Sequence, residues 1–344
     1  MRYTKLPNTN YEVSKICLGT MTWGEQNSEK EAHEQLDFAV ENGINFIDTA
    51  ELYAVPTSPE TQGLTEKYIG TWLAKGNRDK IIIASKVAGP NTVNRHNIRD
   101  DGFTREVINQ AVDNSLKRMK TDHIELYQLH WPERKTNCFG KRNFIYDPSD
   151  EWQDNFHDIL ETLDELIKAG KIGHVGLSNE TPWGLMRYLE EHKYKGLPKM
   201  ISVQNPYNLL NRTYEIGLSE MSIRENVACL PYSPLAWGYL SGKYIGGKTP
   251  KGRITDYPRM KRFTNPQTII ATEKYAEVAK KHGLSLTQMS LAFVNDQPFV
   301  TSNIIGATSI PQLKENIESI NVRLTDECYS DIELVNTQHP NPAP

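Results

Sequence analysis

Short apolar runs alternate with longer amphipathic segments along the whole chain, and this alternation predicts strands and helices in turn. A hairpin is expected first, over about Tyr3–Val13. Eight later runs have the length and β-branched content of buried parallel strands. They are Ile16–Leu18, Asn45–Asp48, Ile81–Lys86, Ile124–His130, His174–Ser178, Ile201–Gln204, Ala228–Tyr232 and Asn303–Gly306.

The segments between these runs carry helix start and stop signals. Ser28 and Glu31 form a capping-box pattern, and several segments end in glycine. The predicted helices run from Ser28 toward Val40, over Leu64–Ala74, from Thr104 toward Met119, and over Asp158–Lys168, Pro182–Glu191, Thr213–Arg224, Pro266–Lys281 and Pro311–Ser319. Eight strand–helix alternations predict one α/β domain over 1–344, a closed (β/α)8 TIM barrel.

A doubly wound Rossmann sheet is the structural competitor. That fold places a GxGxxG turn after its first strand, with a helix directly behind it. Here the turn reads Gly19-Thr20-Met21-Thr22-Trp23-Gly24 and no helix follows at once. The closed barrel is therefore preferred.

Titratable residues follow three consecutive predicted strands. Asp48, Lys86 and His130 end their strands, and Tyr53 lies in the loop after Asp48. Catalytic groups of a β/α barrel sit at this carboxyl end, where a buried strand has no structural use for a lysine or histidine. A carbonyl reduction needs a proton donor, and a phenol beside an ammonium can serve. Tyr53 is then the general acid, Asp48 holds Lys86 charged, and His130 orients the carbonyl.

Composition limits the classes of partner. The net charge of −4 gives no electrostatic reason to expect nucleic acid or an anionic membrane. No run approaches roughly 20 consecutive apolar residues, and the N-terminus lacks a signal-peptide core, so a cytoplasmic protein is expected. Four scattered cysteines suggest reduced thiols, and neither cysteine nor histidine spacing predicts a metal site. The oligomeric state is not indicated.

Three long loops follow strands on the predicted active face and are expected to act as lids. They are Tyr53–Gly63, Trp131–Trp152 and Ala236–Asn265. Aromatic residues in the loops of this face predict a pocket for aromatic or other hydrophobic carbonyl compounds. They are Trp23, Trp131, Phe144, Tyr146 and Trp237. The tail after Thr337 is expected to pack loosely.

Ordered motifs over essentially the whole chain resemble the aldo-keto reductase superfamily, most closely its bacterial Tas-type branch near the potassium-channel β-subunits. They are Leu18-Gly19-Thr20-Met21, Asp48-Thr49-Ala50-Glu51-Leu52-Tyr53, Ser85-Lys86, Leu129-His130-Trp131-Pro132, Gly176-Leu177-Ser178-Asn179, Gln204-Asn205-Pro206-Tyr207-Asn208 and Tyr232-Ser233-Pro234-Leu235. The loop with Asn137-Cys138-Phe139-Gly140 suggests the Tas-type branch.

The resemblance implies NADPH as the cofactor, bound without a Rossmann motif. Ser178, Asn179 and Gln204 would bind its carboxamide, Tyr232 would stack on the nicotinamide, and Lys243 and Arg253 would hold the 2′-phosphate of the adenosine half. Two cations in a glycine-rich loop suit a phosphate on general grounds. The remaining expected contacts are Gly19, Thr20, Met21, Asp48, Ser233, Pro234, Leu235, Gly238, Leu240, Gly306, Thr308, Gln312, Glu315 and Asn316.

The chain departs from the family pattern at one place, and two alternative functions are considered. The insertion Ala54–Gln62 separates the tyrosine from the following Gly63 helix start, so the shape of the pocket wall is not transferred from other members. An NADP(H)-binding sensor or assembly subunit with negligible turnover is a second functional class. An unrelated TIM-barrel isomerase is disfavoured because it gives Tyr232 and the amide-binding set no role.

Overall fold

The computed structural model describes residues 1–90, 98–258 and 262–344. An antiparallel hairpin precedes the barrel, with β1 (Tyr3–Lys5) paired to β2 (Glu12–Ser14). Eight parallel strands follow in the spatial order β10-β3-β4-β5-β6-β7-β8-β9. They are β3 (Ile16–Gly19), β4 (Phe46–Asp48), β5 (Ile82–Val87), β6 (Ile124–Leu129), β7 (Ile172–Ser178), β8 (Met200–Gln204), β9 (Ala228–Cys229) and β10 (Asn303–Ile305).

The sheet closes on itself between its last two strands. Tyr232, just after β9, forms a parallel bridge with Ile304 of β10, and the Ile304 amide donates to the Pro231 carbonyl at 2.9 Å. The predicted (β/α)8 barrel is therefore confirmed, as is the hairpin. Leu126, Phe46, Ala84 and Ile201 belong to the apolar cluster that fills the barrel interior, as the layered packing of this fold requires.

Helices surround the barrel and bury their inner faces against it. They are α1 (Glu29–Glu41), α2 (Leu64–Leu73), α3 (Arg105–Met119), α4 (Phe156–Lys168), α5 (Pro182–Lys195), α6 (Leu218–Arg224), α7 (Arg253–Asp256), α8 (Pro266–Lys281), α9 (Leu286–Asn295), α10 (Ile310–Glu318) and α11 (Asp326–Gln338). Short 3₁₀ helices span Arg78–Lys80, Thr213–Ile216, Ala236–Ser241, Ile245–Gly247 and Ser319–Asn321. The capping box predicted at Ser28 is present, with Ser28 and Glu31 bonded reciprocally.

Three expectations about the outer layer were wrong. The segment Thr213–Arg224 is two helices, because Gly217 adopts φ −159° and ψ −41° between them. Helices α9 and α11 were not predicted. The tail does not pack loosely: Ala343 is fully buried and its amide donates to the Leu210 carbonyl at 3.0 Å.

Within the described ranges, no helix has the length and apolar character needed to cross a bilayer. All four cysteines are free, which agrees with the expected reduced thiols.

Candidate active site

The four predicted catalytic side chains converge at the carboxyl end of the barrel. Strand register places Asp48 opposite Ala84, two residues before Lys86 on the neighbouring strand. The Lys86 ammonium donates to Asp48 Oδ2 at 2.7 Å, to the Thr49 carbonyl at 2.8 Å and to the Tyr53 hydroxyl at 3.3 Å. The His130 ring packs edge-on against the Tyr53 ring, with centroids 5.7 Å apart. A carboxylate, an ammonium and a phenol are thus held in one hydrogen-bonded unit.

Burial sets the protonation of this unit. Lys86 is completely buried, and desolvation would lower its pKa, but Asp48 and Tyr53 outweigh that effect and raise the pKa above its ordinary 10.5. Burial also raises the pKa of Tyr53 above its ordinary 10.0, against the opposing effect of Lys86. Lys86 therefore lowers the pKa of the phenol as expected, but desolvation is larger and the net direction is upward. At neutral pH the unit holds a protonated phenol beside a charged lysine.

A second ion pair fixes the loop that carries Tyr53. Glu51 is buried, and its two carboxylate oxygens accept from the Arg99 guanidinium at 2.6 and 2.7 Å. The Ala88 amide donates to the same carboxylate at 2.7 Å, which ties the loop to the end of β5. Sequence reasoning missed this pair, because the partners are 48 residues apart and only Glu51 lies in a recognised motif.

The insertion Ala54–Gln62 folds back without displacing Tyr53. The Gly63 amide donates to the Tyr53 carbonyl at 2.7 Å, which closes the insertion into a loop. Inside it, the Val55 amide donates to the Met21 carbonyl at 3.1 Å, and Val55 lines the cavity above the barrel. The insertion thus builds one wall of the site.

A cavity of about 1200 Å³ opens above the four residues. It extends from these residues past Tyr232 to α10, and nearly all of the predicted cofactor-binding residues line it. The predicted residues that line it are Gly19, Thr20, Met21, Asp48, Tyr53, His130, Ser178, Asn179, Gln204, Tyr232, Ser233, Pro234, Leu235, Gly238, Lys243, Arg253, Gly306, Thr308, Gln312, Glu315 and Asn316. Two of the predicted residues do not line the cavity. Lys86 lies beneath its floor, behind Asp48 and Tyr53, and Leu240 is buried in the apolar core.

The proposed carboxamide-binding residues form one linked group. Asn179, in a left-handed conformation with φ 54°, donates to the His130 carbonyl at 2.8 Å and accepts from the Tyr232 hydroxyl at 2.6 Å. The Gln204 amide nitrogen donates to Asp48 Oδ1 at 2.7 Å. The group therefore joins the ends of β6, β7 and β8 to the Asp48 carboxylate and to the Tyr232 hydroxyl.

Two cations of the loop after β9 line the cavity without an acid close to either of them. Among the described residues, no carboxylate oxygen lies within 4.0 Å of the Lys243 or Arg253 nitrogens, although Asp256 acts on Lys243 from farther away. Burial lowers the pKa of Lys243 and lowers that of Arg253 to about 10, and Tyr53 is among the groups whose charge acts on Arg253. A desolvated cation without a close counterion is stabilised by a bound anion. This part of the cavity is suited to a phosphate.

The last barrel loop and α10 complete the wall of the cavity. The Thr308 amide donates to Gln312 Oε1 at 3.0 Å, and Asn316 donates to the Gly306 carbonyl at 3.1 Å. Gln312 and Asn316 line the cavity from one face of α10, as their spacing of four predicted. The cavity volume, the Tyr232 ring and the two cations together fit an extended dinucleotide.

The model of the aldo/keto reductase family matches residues 15–337. The chain belongs to this family. It is similar to the protein tas of Escherichia coli (strain K12), with 49% identity over an alignment of 352 residues that covers all of both chains. It is 32% identical to the uncharacterized oxidoreductase YrpG of Bacillus subtilis (strain 168), covering 99% of this chain and 97% of that protein. The resemblance to the Tas-type branch is thereby confirmed.

A more distant relative carries an activity in its name. Norsolorinic acid reductase stcV of Emericella nidulans is 28% identical, over 95% of this chain and 79% of its own length. The family membership makes this chain an oxidoreductase of the aldo/keto reductase type.

The aromatic pocket expected for this aldo/keto reductase is only partly present. Of the five aromatic residues assigned to it, Trp237 alone lines the cavity. Trp23 and Trp131 are buried in the core, and Phe144 and Tyr146 are 62% and 77% exposed. Phe139 and Tyr257 line the cavity instead. The other four assignments were wrong because loop residues show no periodicity that distinguishes a residue in a pocket wall from one in the core or one exposed to solvent.

One cluster outside the cavity has the composition of a metal site. Among the described residues, His282, Glu327 and Asp331 offer ligand atoms within 4.8 Å of one another. The Lys281 ammonium, however, lies 2.9 Å from Glu327 and 2.8 Å from Asp331. Because the lysine already pairs with both carboxylates, this surface cluster is an ion-pair network.

Proposed function

We propose that this aldo/keto reductase uses NADPH to reduce aldehydes and ketones to alcohols, with Tyr53 as the general acid. The observation that supports this most is the buried Asp48–Lys86–Tyr53 unit at the floor of the cavity. Unlike a structural ion pair, it includes a phenol that the cavity exposes to a ligand. NADPH supplies the hydride when it is bound.

Each of the chain's own groups has a defined task in this scheme. Tyr53 Oη moves its proton to the carbonyl oxygen of the substrate as charge develops there. Lys86, held charged by Asp48, stabilises the phenolate that remains. His130, packed against the Tyr53 ring, faces the cavity and orients the carbonyl. The Glu51–Arg99 pair keeps the Tyr53 loop in place while the substrate exchanges.

The cavity contacts assign the cofactor's parts in this proposal. Ser178, Asn179 and Gln204 would hold the carboxamide, and the Tyr232 ring would support the nicotinamide. Lys243 and Arg253 would hold the 2′-phosphate, which NADH lacks. The preference for NADPH then depends on these two cations.

Replacing Arg253 with leucine should weaken NADPH binding about 10- to 100-fold, because it removes charged hydrogen bonds to a phosphate. NADH affinity should change little, so the preference for NADPH should shrink. Fluorescence titration with each cofactor measures both values. Lys248→Ala, an exposed lysine of the same loop that does not line the cavity, is the matched control. An equal loss for both cofactors would show that Arg253 does not read the 2′-phosphate.

The rate of reduction should stay level through neutral and mildly alkaline pH. Both Tyr53 and Lys86 must be protonated for reduction, and the structure raises both pKa values above 10.0 and 10.5. The rate is therefore lost only as pH rises through those raised values. A pH profile of kcat/KM measures the falling limb. A fall of kcat/KM near neutral pH would exclude Tyr53 as the general acid.

Multiple turnover separates the reductase from the alternative of a cofactor-binding sensor or assembly subunit. NADPH oxidation is followed with a panel of aldehydes and ketones that includes para-nitrobenzaldehyde. Repeated turnover supports the proposal. Tight NADPH binding with no turnover across the panel would favour the sensor.

A further inference from the structure

Arg262 is a cavity cation that neither the family motifs nor the proposed cofactor contacts use. It lines the same cavity as Tyr53 and His130, and its guanidinium carbon lies 5.8 Å from the centre of the Trp237 ring. Burial raises the pKa of the Tyr232 phenol, and the charge of the nearby Arg262 opposes that rise. The arginine therefore stands beside the Tyr232 ring.

The neighbours of Arg262 on the other side belong to the loop after β6. A Cβ built on Gly140 would lie 3.4 Å from Arg262 Nε, an ordinary van der Waals distance, so the guanidinium packs beside this glycine. The adjacent Phe139 ring packs edge-on against Trp131, with centroids 5.8 Å apart, and Trp131 follows His130 in the chain. Arg262 thus closes the cavity on the side of the catalytic histidine.

The cations proposed for the 2′-phosphate have other neighbours. Besides burial, the charge of Arg253 lowers the pKa of Lys243, and a Cβ on Gly252 would lie only 2.3 Å from Lys243 Nζ. Arg262 instead lies beside Tyr232, Trp237 and Gly140. It is therefore a cationic position of the cavity distinct from the Lys243–Arg253 pair.

Arg262 also lacks a close acid. Within the residues that the structure describes, no carboxylate oxygen lies within 4.0 Å of its nitrogens, and the side chain is only half-buried. An arginine in a cavity wall, stacked on an indole, presents its planar donors for a carboxylate. The same cavity is lined by apolar side chains that can hold a carbon skeleton, namely Met21, Leu52, Val55, Phe139 and Trp237.

We propose that Arg262 binds a carboxylate carried by the substrate, so that the preferred substrates are oxo acids with the reacting carbonyl at the end away from the carboxylate. This inference rests on the proposed function, because it assigns the substrate class of the same site. The apolar wall holds the carbon skeleton between the two polar ends.

The test compares an acid with its neutral ester. Para-formylbenzoate and methyl para-formylbenzoate have the same aldehyde and the same ring, and only the first carries a negative charge. The wild-type protein should prefer the acid about 10- to 100-fold in kcat/KM, the contribution of a charged hydrogen bond pair. Arg262→Gln should bring that ratio toward one through the KM of the acid, and Arg262→Lys should restore part of it.

Two further measurements separate the possible failures. Arg142→Gln removes an exposed arginine of the neighbouring loop and should keep the wild-type ratio. Calorimetric binding of para-formylbenzoate to the protein–NADP⁺ complex reports the anion site without turnover. Arg262-dependent binding with no turnover would sustain the inference while the proposed reductase failed.

Three results would overturn the inference. The first is equal turnover of acid and ester by the wild-type protein, which would leave the reductase intact. The second is a loss of NADPH affinity in Arg262→Gln with an unchanged acid-to-ester ratio, which would assign the arginine to the cofactor. The third is acid binding that is the same in Arg262→Gln and the wild-type protein.

Discussion

Replacing Tyr53 with phenylalanine should lower the rate of carbonyl reduction on the order of 10²- to 10⁴-fold, the usual contribution of a general acid. The change removes one hydroxyl, which lies 3.3 Å from the Lys86 ammonium, and leaves a ring of the same shape against His130. The Lys86–Asp48 pair keeps its 2.7 Å contact, so the fold should survive. Steady-state reduction of para-nitrobenzaldehyde measures the loss.

The affinity for NADPH should change little in the same variant, because the substitution alters none of the residues proposed to hold the cofactor. Tyr214→Phe is a suitable control. Tyr214 is buried and its hydroxyl lies 2.7 Å from Ser222 Oγ, but it does not line the cavity. It should keep the wild-type rate. A Tyr53→Phe protein with a wild-type rate would exclude Tyr53 as the proton donor.

Replacing Lys86 with methionine should affect both rate and stability. The side chain is completely buried, and its loss leaves the Asp48 carboxylate without its cation. Removing one partner of a buried ion pair costs about 3–5 kcal/mol of unfolding free energy. Asp48 retains the Gln204 amide at 2.7 Å, which offsets part of that cost. Urea unfolding measures the stability, and reduction should fall at least as far as in Tyr53→Phe.

A second substitution separates the two effects. In Lys86→Met with Asp48→Asn, no charge is left unpaired in the pair, so most of the lost stability should return. The rate should not return, since the ammonium that stabilises the phenolate is still absent. Recovery of the rate together with the stability would show that Lys86 acts only as a structural residue.

The barrel could be predicted because its strands are apolar on both faces. Runs such as Ile81–Lys86 are too short for helices and too apolar for loops, and each is followed by an amphipathic segment. The prediction at β9 was too long. Only Ala228–Cys229 is a regular strand, and the chain rejoins the sheet at Tyr232 through isolated bridges. The hydrophobic pattern of a sequence does not show where the hydrogen bonding between neighbouring strands is interrupted.

The missed helices show a different limit. Helix α9 has Ser285 as its N-cap, in a capping box completed by Gln288, and this signal could have been read from the sequence. Helix α11 has Thr325 as its N-cap, whose side chain accepts from the Cys328 amide, but the helix lies beyond the last expected strand–helix unit. The tail that follows is held by distant partners, among them Leu210 and Asn265, which no local pattern indicates.

The convergence of the four proposed catalytic residues was predictable because strand ends and barrel geometry bring them together. The net direction of the pKa shift of Tyr53 was not predictable, since it depends on how completely the phenol is buried. Arg262 was also missed. It lies in a loop rich in glycine, lysine and arginine, and the sequence does not show which of those cations faces the cavity.

The most direct test is the transfer of deuterium from NADPH that carries deuterium at both positions of its reactive carbon. The protein is incubated with an excess of labelled cofactor and an aldehyde, and the alcohol is analysed by mass spectrometry. Many equivalents of singly deuterated alcohol per protein chain are expected, with Tyr53→Phe forming far less. Unlabelled alcohol, or no alcohol from a protein that binds NADPH tightly, would contradict the reductase mechanism.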